Sequence, residues 1–154
     1  MIILGIDPGT VRMGYGLIEK GGSLKLVSYG VLGSTNKNQV DRLHYIGTEL
    51  KKLIKKYKPD VMGVEKVYFS KNKKTALSVA ESRGVVLFVA GSLGVPVLEF
   101  TPSDIKRVVS GDGSCDKKTL TKVVAITLGE KEIKGPDDAS DALAIAIRTS
   151  FERV

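Results

Sequence analysis

The chain opens with Ile2-Ile3-Leu4-Gly5-Ile6-Asp7-Pro8-Gly9-Thr10, an apolar run that ends in an acid and a turn. The β-branched and apolar side chains predict a strand over residues 2–7 that is buried on both faces. Pro8-Gly9-Thr10 breaks this strand and leaves the Asp7 carboxylate at its carboxyl end. The opening stretch therefore predicts a core strand with an acid at the edge of the sheet.

The pattern that follows predicts an α/β fold. Residues 14–20 and 23–32 flank Gly21-Gly22 and predict a hairpin, so the sheet begins with three antiparallel strands. Apolar periodicity and Gly/Pro breaks then predict, in order, a helix over 39–57, a strand over 60–65, a helix over 75–93, a strand over 95–100, and helices over 102–110, 116–128 and 138–151. We expect one domain over residues 1–154, with a mixed five-stranded sheet (three antiparallel strands, then two parallel strands) flanked by helices.

Three more acids lie at the ends of apolar segments. Glu65 ends Val61-Met62-Gly63-Val64, and Asp138 and Asp141 open the apolar run 142–147. If the first and fourth strands pair in parallel, Asp7 and Glu65 lie side by side where open α/β sheets bind ligands. Asp138 and Asp141 are three residues apart at a helix start and share one face. Four clustered carboxylates repel each other unless a divalent cation lies among them, and oxygen ligands suit Mg²⁺ or Mn²⁺.

Each acid also has a purely structural interpretation. Asp138 could be an N-cap, and Asp7 could hydrogen-bond the turn that follows it. Taken singly, each acid favours this interpretation; taken together, the four favour a metal-dependent enzyme.

Composition indicates the kind of partner and compartment. Lys plus Arg number 24 against 17 Asp plus Glu, which gives a net charge of +7. This balance suits a polyanion such as nucleic acid, although a solvated cationic surface is the alternative. Cys115 is the only cysteine, so no intrachain disulfide can form, and a reducing, cytoplasmic location is expected. No apolar run is long enough to span a membrane, and the N-terminus reads as a strand and not a signal peptide.

Several motifs together resemble the RuvC family of Holliday-junction resolvases. Residues 5–10 look like the family's opening motif, residues 64–68 like its second and residues 138–144 like its closing motif, while Ser82-Arg83-Gly84 lies in a helix similar to its dimer helix. The resemblance implies an RNase H-like fold, a homodimer and metal binding by Asp7, Glu65, Asp138 and Asp141. It also implies two Mg²⁺ ions per subunit (replaceable by Mn²⁺), symmetric cleavage of a four-way DNA junction to 5′-phosphate and 3′-hydroxyl ends, and work beside the RuvAB branch-migration complex.

The loop from Lys66 to Lys74 mixes aromatic and basic side chains. Lysines contact phosphates, and a base stacked on an aromatic ring contributes about 1–3 kcal/mol. The residues expected to bind DNA here are Tyr68, Phe69, Lys71, Lys73 and Lys74. The resembled family usually carries Phe where Tyr68 stands, so which ring inserts stays open. The alternative is that one ring covers the core and the lysines only aid solubility.

Further basic residues match the family by position. Lys106 and Lys117 correspond to basic positions of the family, and their neighbours Arg107 and Lys118 could serve in their place. The alternative is an ordinary solvated helix face.

The helix over 75–93 carries small residues every fourth position. Ala76, Ala80 and Gly84 would allow another backbone to approach closely, either the sheet of the same chain or the same helix of a second subunit. From the sequence alone the first partner is favoured. The resemblance favours a dimer interface that includes Ala76, Ala80, Arg83 and Gly84.

Three other functions compete with the nuclease. A junction-binding module without catalysis is disfavoured because all four acids are present. A related pre-rRNA-processing nuclease is disfavoured by the long helix and the basic aromatic loop. An actin-like ATPase, suggested by Asp7-Pro8-Gly9-Thr10, would need a longer chain and a second phosphate loop.

Overall fold

A computed structural model describes residues 1–33, 35, 38–67 and 73–153 of this protein. Five strands and five helices occur in these residues. In chain order they are β1 (Ile2–Asp7), β2 (Arg12–Lys20), β3 (Leu24–Gly33), α1 (Gln39–Tyr57), β4 (Val61–Glu65), α2 (Lys73–Ser92), β5 (Val97–Phe100), α3 (Pro102–Ser110), α4 (Lys117–Thr127) and α5 (Asp137–Ser150).

The strands form one mixed sheet in the order β3-β2-β1-β4-β5. β1 pairs with β2, and β2 with β3, in antiparallel fashion, whereas β4 lies parallel to both β1 and β5. The predicted arrangement of three antiparallel strands followed by two parallel strands is confirmed. Ile6 of β1 stands opposite Val64 of β4, so the next residues, Asp7 and Glu65, leave the sheet side by side.

The sheet separates two apolar clusters. On one face, α1 and α2 pack through Ile46, Leu50 and Val86 against the sheet residues Leu4 and Met62. On the other face, α3, α4 and α5 cover residues that include Ile3 and Ile18. Because both faces are covered, β1 and β4 are buried along nearly their whole length, as their apolar sequences predicted.

Helix α5 lies very close to the sheet because glycines line the strands beneath it. An alanine methyl at Gly5 would overlap backbone of Ala142 and Ala146, and one at Gly14 would overlap the Asp138 carbonyl oxygen. A methyl at Gly16 would stand 2.7 Å from the Leu143 nitrogen. The close approach fixes the start of α5, which carries Asp138 and Asp141, against the end of β1 and the start of β2.

The predicted element boundaries hold to within two residues. β2 begins at Arg12 and not at residue 14, and β5 begins at Val97 and not at residue 95. α2 begins at Lys73, so Lys73 and Lys74 form its first turn and not the end of a loop. Lysine has good helix propensity, which explains the earlier start.

Candidate active site

Asp7 and Glu65 form a half-buried carboxyl pair at the carboxyl ends of β1 and β4. Their side chains share a hydrogen bond. Burial, and then the nearby charges of Glu65, Asp141 and Asp138, raise the pKa of Asp7 from 3.8 to about 8. Burial and the charge of Asp141 also raise the pKa of Glu65. In the absence of a cation, this pair therefore retains a proton near neutral pH.

Asp138 and Asp141 approach the pair from the first turns of α5. The helix begins at Asp137, and its N-cap is Pro136, which makes no side-chain cap hydrogen bond. Asp138 is therefore not the N-cap. Both acids contribute to the raised pKa of Asp7, which places all four carboxyl groups in one electrostatic cluster.

Two basic side chains neutralise the helix acids. The Arg12 guanidinium lies 3.2 Å from Asp138, and the Lys117 ammonium donates to Asp141 at 2.9 Å. The hydrogen bond to Asp141 raises the pKa of Lys117. Arg12 was not singled out from the sequence, because nothing in the residues around it indicates that it will contact Asp138.

A cleft of about 340 Å³ runs over this cluster. Three of the four acids line it together with two lysines; the lining residues are Asp7, Glu65, Pro102, Ile105, Lys106, Lys117, Leu120, Asp141 and Ile145. The Lys106 ammonium donates to the Cys115 carbonyl oxygen at 2.7 Å, which holds this side chain at the rim. Both lysines lower the pKa of Glu65 and so oppose the effect of burial. The cleft joins acids that can hold a cation to cations that can hold a phosphate.

The carboxyl groups are close enough to interact but are not yet arranged around one ion. Within residues 1–33, 35, 38–67 and 73–153, no three acidic, histidine or cysteine side chains surround a common point. Asp7 and Glu65 bond to each other, while Asp138 and Asp141 bond to Arg12 and Lys117. The oxygen-only donor set and the mutual repulsion nevertheless fit a hard divalent cation, because its charge would offset the burial and the repulsion that raise the two pKa values.

The other residues expected to bind DNA have different positions. Tyr68, Phe69 and Lys71 lie outside the described residues, and Lys73 and Lys74 are in the first turn of α2. Lys118 is exposed on α4 and does not line the acid cleft. Arg107 pairs with Asp104 at 2.6 Å on α3. Of the basic side chains that were singled out from the sequence and that the structure describes, Lys106 and Lys117 line the cleft with the acids.

The small-residue stripe of α2 does not stay on one face. Ala76 is buried within its own chain, whereas a methyl added at Gly84 would meet no atom within 4 Å. Eight residues advance a helix about 80° beyond two full turns, which explains the change of face. Ala80 is partly buried, and Arg83 forms a salt bridge with Glu99 of β5.

Instead, the open face of α2 carries apolar side chains. Leu77 is 65% exposed and Phe88 is 75% exposed, and Gly84 and Gly91 lie along the same side with open space above them. Leu77 and Phe88 could not be singled out from the sequence, because the apolar residues of α2 do not fall on one face of the helix.

The family model for crossover junction endodeoxyribonuclease RuvC matches residues 3–149 of this chain. The chain belongs to the RuvC family. Among curated RuvC proteins, that of Syntrophomonas wolfei is 44% identical over 149 residues, which cover 96% of this chain and 87% of the relative. RuvC of Desulfitobacterium hafniense is 46% identical over 149 residues, with 96% and 90% covered.

Solved RuvC structures have the same fold. Thermus thermophilus RuvC in complex with Holliday junction substrate superposes with a TM-score of 0.90 at 30% identity, covering 98% of this chain and 93% of that chain. The yeast mitochondrial Holliday junction resolvase shares the fold at a TM-score of 0.66 and 16% identity, covering 96% of this chain and 78% of that chain. The RNase H-like architecture expected from the resemblance is confirmed.

Hydropathy gives no sign of a membrane span. Across the described residues, no helix combines the length and apolar character that crossing a bilayer requires.

Proposed function

We propose that this protein is a structure-selective endodeoxyribonuclease that resolves Holliday junctions by metal-dependent phosphodiester hydrolysis. The observation that carries the proposal is the Asp7–Glu65 pair, which is half-buried at the ends of adjacent parallel strands and faced by two more acids and two lysines. A half-buried cluster of this kind is costly unless a cation and a phosphate offset its charges. The family membership supplies the four-way junction as the substrate.

Mg²⁺ is the proposed cofactor, with two ions per subunit and Mn²⁺ as a substitute. Asp7, Glu65, Asp138 and Asp141 would hold the ions, since all four offer carboxylate oxygens. When bound, the ions would lower the pKa of the attacking water and stabilise the leaving 3′ oxygen. The products would be a 5′-phosphate and a 3′-hydroxyl.

The protein's own side chains prepare this reaction. Lys106 and Lys117 stand on the rim of the cleft, where they would hold the scissile phosphate and offset the charge that develops on it. The proton shared by Asp7 and Glu65 must leave before both can act as ligands. Until then, Asp138 and Asp141 form ion pairs with Arg12 and Lys117.

We further propose that the protein acts as a homodimer in the cytoplasm, beside the RuvAB complex. The open apolar face of α2, with Leu77, Gly84 and Phe88, supports self-association through this helix. Ala76, Ala80 and Arg83 would support that face from within the protomer. A two-fold dimer would set two cleavage sites on a two-fold junction.

The test is cleavage of a labelled four-way junction and a linear duplex, each with and without Mg²⁺. The wild type should cut the junction in a Mg²⁺-dependent manner and leave the duplex intact. Glu65→Gln should lower the cleavage rate at least ~100-fold while junction binding persists. The variant lacks a carboxylate that would hold the ions, and the ions would stabilise the charge of the transition state.

Glu130→Gln is the matched control, since Glu130 is exposed and does not line the cleft. Its cleavage rate should equal that of the wild type. Undiminished cleavage by Glu65→Gln, or equal cleavage of junction and duplex, would contradict the proposal.

A further inference from the structure

A second groove adjoins the acid cleft and has no part in the chemistry described above. It has a volume of about 670 Å³ and lies between α4 and the loop over residues 128–136. We name it the α4 groove and define it by Lys117, Lys118, Lys122, Ile126, Lys131 and Ile133.

Unneutralised positive charge lines the α4 groove. Lys118, Lys122 and Lys131 are exposed, and none of them forms a salt bridge within the described part of the chain. Two acids also line the groove, but Glu132 pairs with Lys134 at 3.2 Å and Asp137 interacts with Lys117. The remaining charge of the lining is therefore positive and suits an anionic occupant.

The α4 groove continues directly from the acid cleft. Lys117 lines both cavities, so a polyanion that passes the acids can follow α4 without leaving basic surface. Lys118 and Lys122 are one helical turn apart and share a face of α4, which extends the row of cations away from the acids.

The apolar part of the lining indicates what kind of contact the groove makes with an occupant. Ile126 is 77% exposed and lies there with Ala125 and Ile133, which offer no polar side-chain atoms. The Thr121 hydroxyl is already hydrogen-bonded to Ser140 at 2.8 Å. The groove thus has phosphate-binding cations but few groups that could read base edges.

We infer that the α4 groove holds the sugar-phosphate backbone of a junction arm that leads away from the cleaved step, with Lys122 and Lys131 as its phosphate contacts. The inference rests on the proposed junction-cleaving function. An acidic peptide would also suit an apolar floor with a basic rim, but the continuity through Lys117 favours the DNA strand that already crosses the acids.

The experiment measures junction affinity as a function of salt in metal-free buffer. Each phosphate contact contributes about 0.9 to the slope of log K against log salt, so Lys122→Ala/Lys131→Ala should reduce that slope by about two. Between about 50 and about 200 mM salt, the wild type should lose roughly tenfold more affinity than this variant. Lys122→Arg/Lys131→Arg should keep the wild-type slope, because the charge remains.

Lys51→Ala/Lys55→Ala is the matched control. It removes two exposed lysines from α1, on the other face of the sheet, and should leave the slope unchanged. A Lys122→Ala/Lys131→Ala slope equal to that of this control would overturn the inference.

Shortened junction arms test whether the contact is to an arm. The affinity difference between wild type and Lys122→Ala/Lys131→Ala should vanish once the arms are too short to reach Lys131. A difference that persists with the shortest arms would overturn the assignment to an arm. If wild-type protein cuts junctions in Mg²⁺ but the salt slope is the same in wild type and Lys122→Ala/Lys131→Ala, this inference alone is refuted. If wild-type protein neither binds nor cuts junctions, both this inference and the proposed function are refuted.

Discussion

At the scale of single residues, the Asp7–Glu65 pair dominates the physics of the site. The pair is half-buried among like charges, so its protonated form is favoured in the metal-free protein. Asp138 and Asp141 form ion pairs with Arg12 and Lys117 beside it. The site thus combines paired carboxylates on α5 with a protonated pair on the sheet.

The raised pKa of Asp7 makes stability depend on pH. Between the ordinary pKa of 3.8 and the folded value of about 8, the native state binds a proton that the unfolded chain has lost. The free energy of unfolding of metal-free protein should therefore fall as pH rises through this window and level off above it.

Asp7→Asn removes this titration and should be more stable than the wild type by on the order of a few kcal/mol above pH ~8, with a smaller difference near pH ~5. Urea unfolding with a chelator at both pH values measures it, and Glu130→Gln serves as the control. A stability difference that does not grow with pH would contradict the raised pKa.

Arg12 should compete with a metal ion for Asp138. Arg12→Ala frees this carboxylate, so Mg²⁺ affinity measured by calorimetry should rise by up to about fivefold, the range expected of an exposed ion pair. Junction binding should weaken, because one cation near the phosphate is lost. Arg12→Lys keeps the charge and should behave as the wild type; a lower Mg²⁺ affinity in Arg12→Ala would show that Arg12 positions Asp138 and does not compete for it.

At the scale of elements, the contact between α5 and the sheet assembles the site. Asp7 ends β1, whereas Asp138 and Asp141 begin α5 more than a hundred residues later. They come together because Gly5, Gly14 and Gly16 allow the helix backbone to touch the strands. The glycines are thus as necessary to the geometry as the acids.

Gly14→Ala should disturb the site without altering any charge. The added methyl overlaps the Asp138 carbonyl oxygen, so α5 must shift, and overpacking of this kind costs about 1–3 kcal/mol. Chemical denaturation should report the loss, and cleavage should fall with it. Gly21→Ala, where no atom lies within 4 Å of the added methyl, should change stability by less than about 0.5 kcal/mol. Equal stability of the two variants would contradict this account of the helix position.

The open face of α2 carries the proposed dimer contact. Phe88 is 75% exposed, so Phe88→Asp should leave the protomer folded while it places a charge in the interface. Sedimentation velocity should show a dimer for the wild type and a monomer for this variant. Phe151→Asp, at a comparably exposed phenylalanine outside α2, should remain dimeric. If Phe88→Asp remained a dimer, the interface would have to lie on another surface of the protein.

At the scale of the whole molecule, the charges are separated in space. The net charge is +7, yet the centre of the cleft is acidic and lysines surround it on α3 and α4. The surface therefore attracts a polyanion over distance, while the centre attracts a small cation. This arrangement lowers the free energy of unfolding of the metal-free protein, because folding brings the acids close to one another.

A bound cation should stabilise the entire fold. At about 100 times its Kd, Mg²⁺ should raise the free energy of unfolding by about 2.7 kcal/mol. For a chain of this size, each kcal/mol raises Tm by about 2–4 °C. Calorimetric melting with and without Mg²⁺ measures the shift. Glu65→Gln should respond much less than Glu130→Gln, and equal responses would place the ion elsewhere.

Much of this molecule could be predicted from the local sequence. The order of elements and the antiparallel start of the mixed sheet follow from apolar periodicity and Gly/Pro breaks, because these signals act over a few residues. The parallel pairing of β1 with β4 was only a condition of the sequence argument, and the structure establishes it. The position of Asp7 and Glu65 at one sheet edge follows from that pairing. The family resemblance added the fold type and the expected roles of the acids.

Only the tertiary structure decided which side chains face one another. Arg12 meets Asp138 and Lys117 meets Asp141 across large separations in the chain, and the α4 groove forms only where α4 packs beside a distant loop. Likewise, the burial of Ala76 and the exposure of Leu77 and Phe88 depend on how α2 rotates against α1. Sequence periodicity determines which residues of a helix share a face, but the packing of distant elements determines which face is buried.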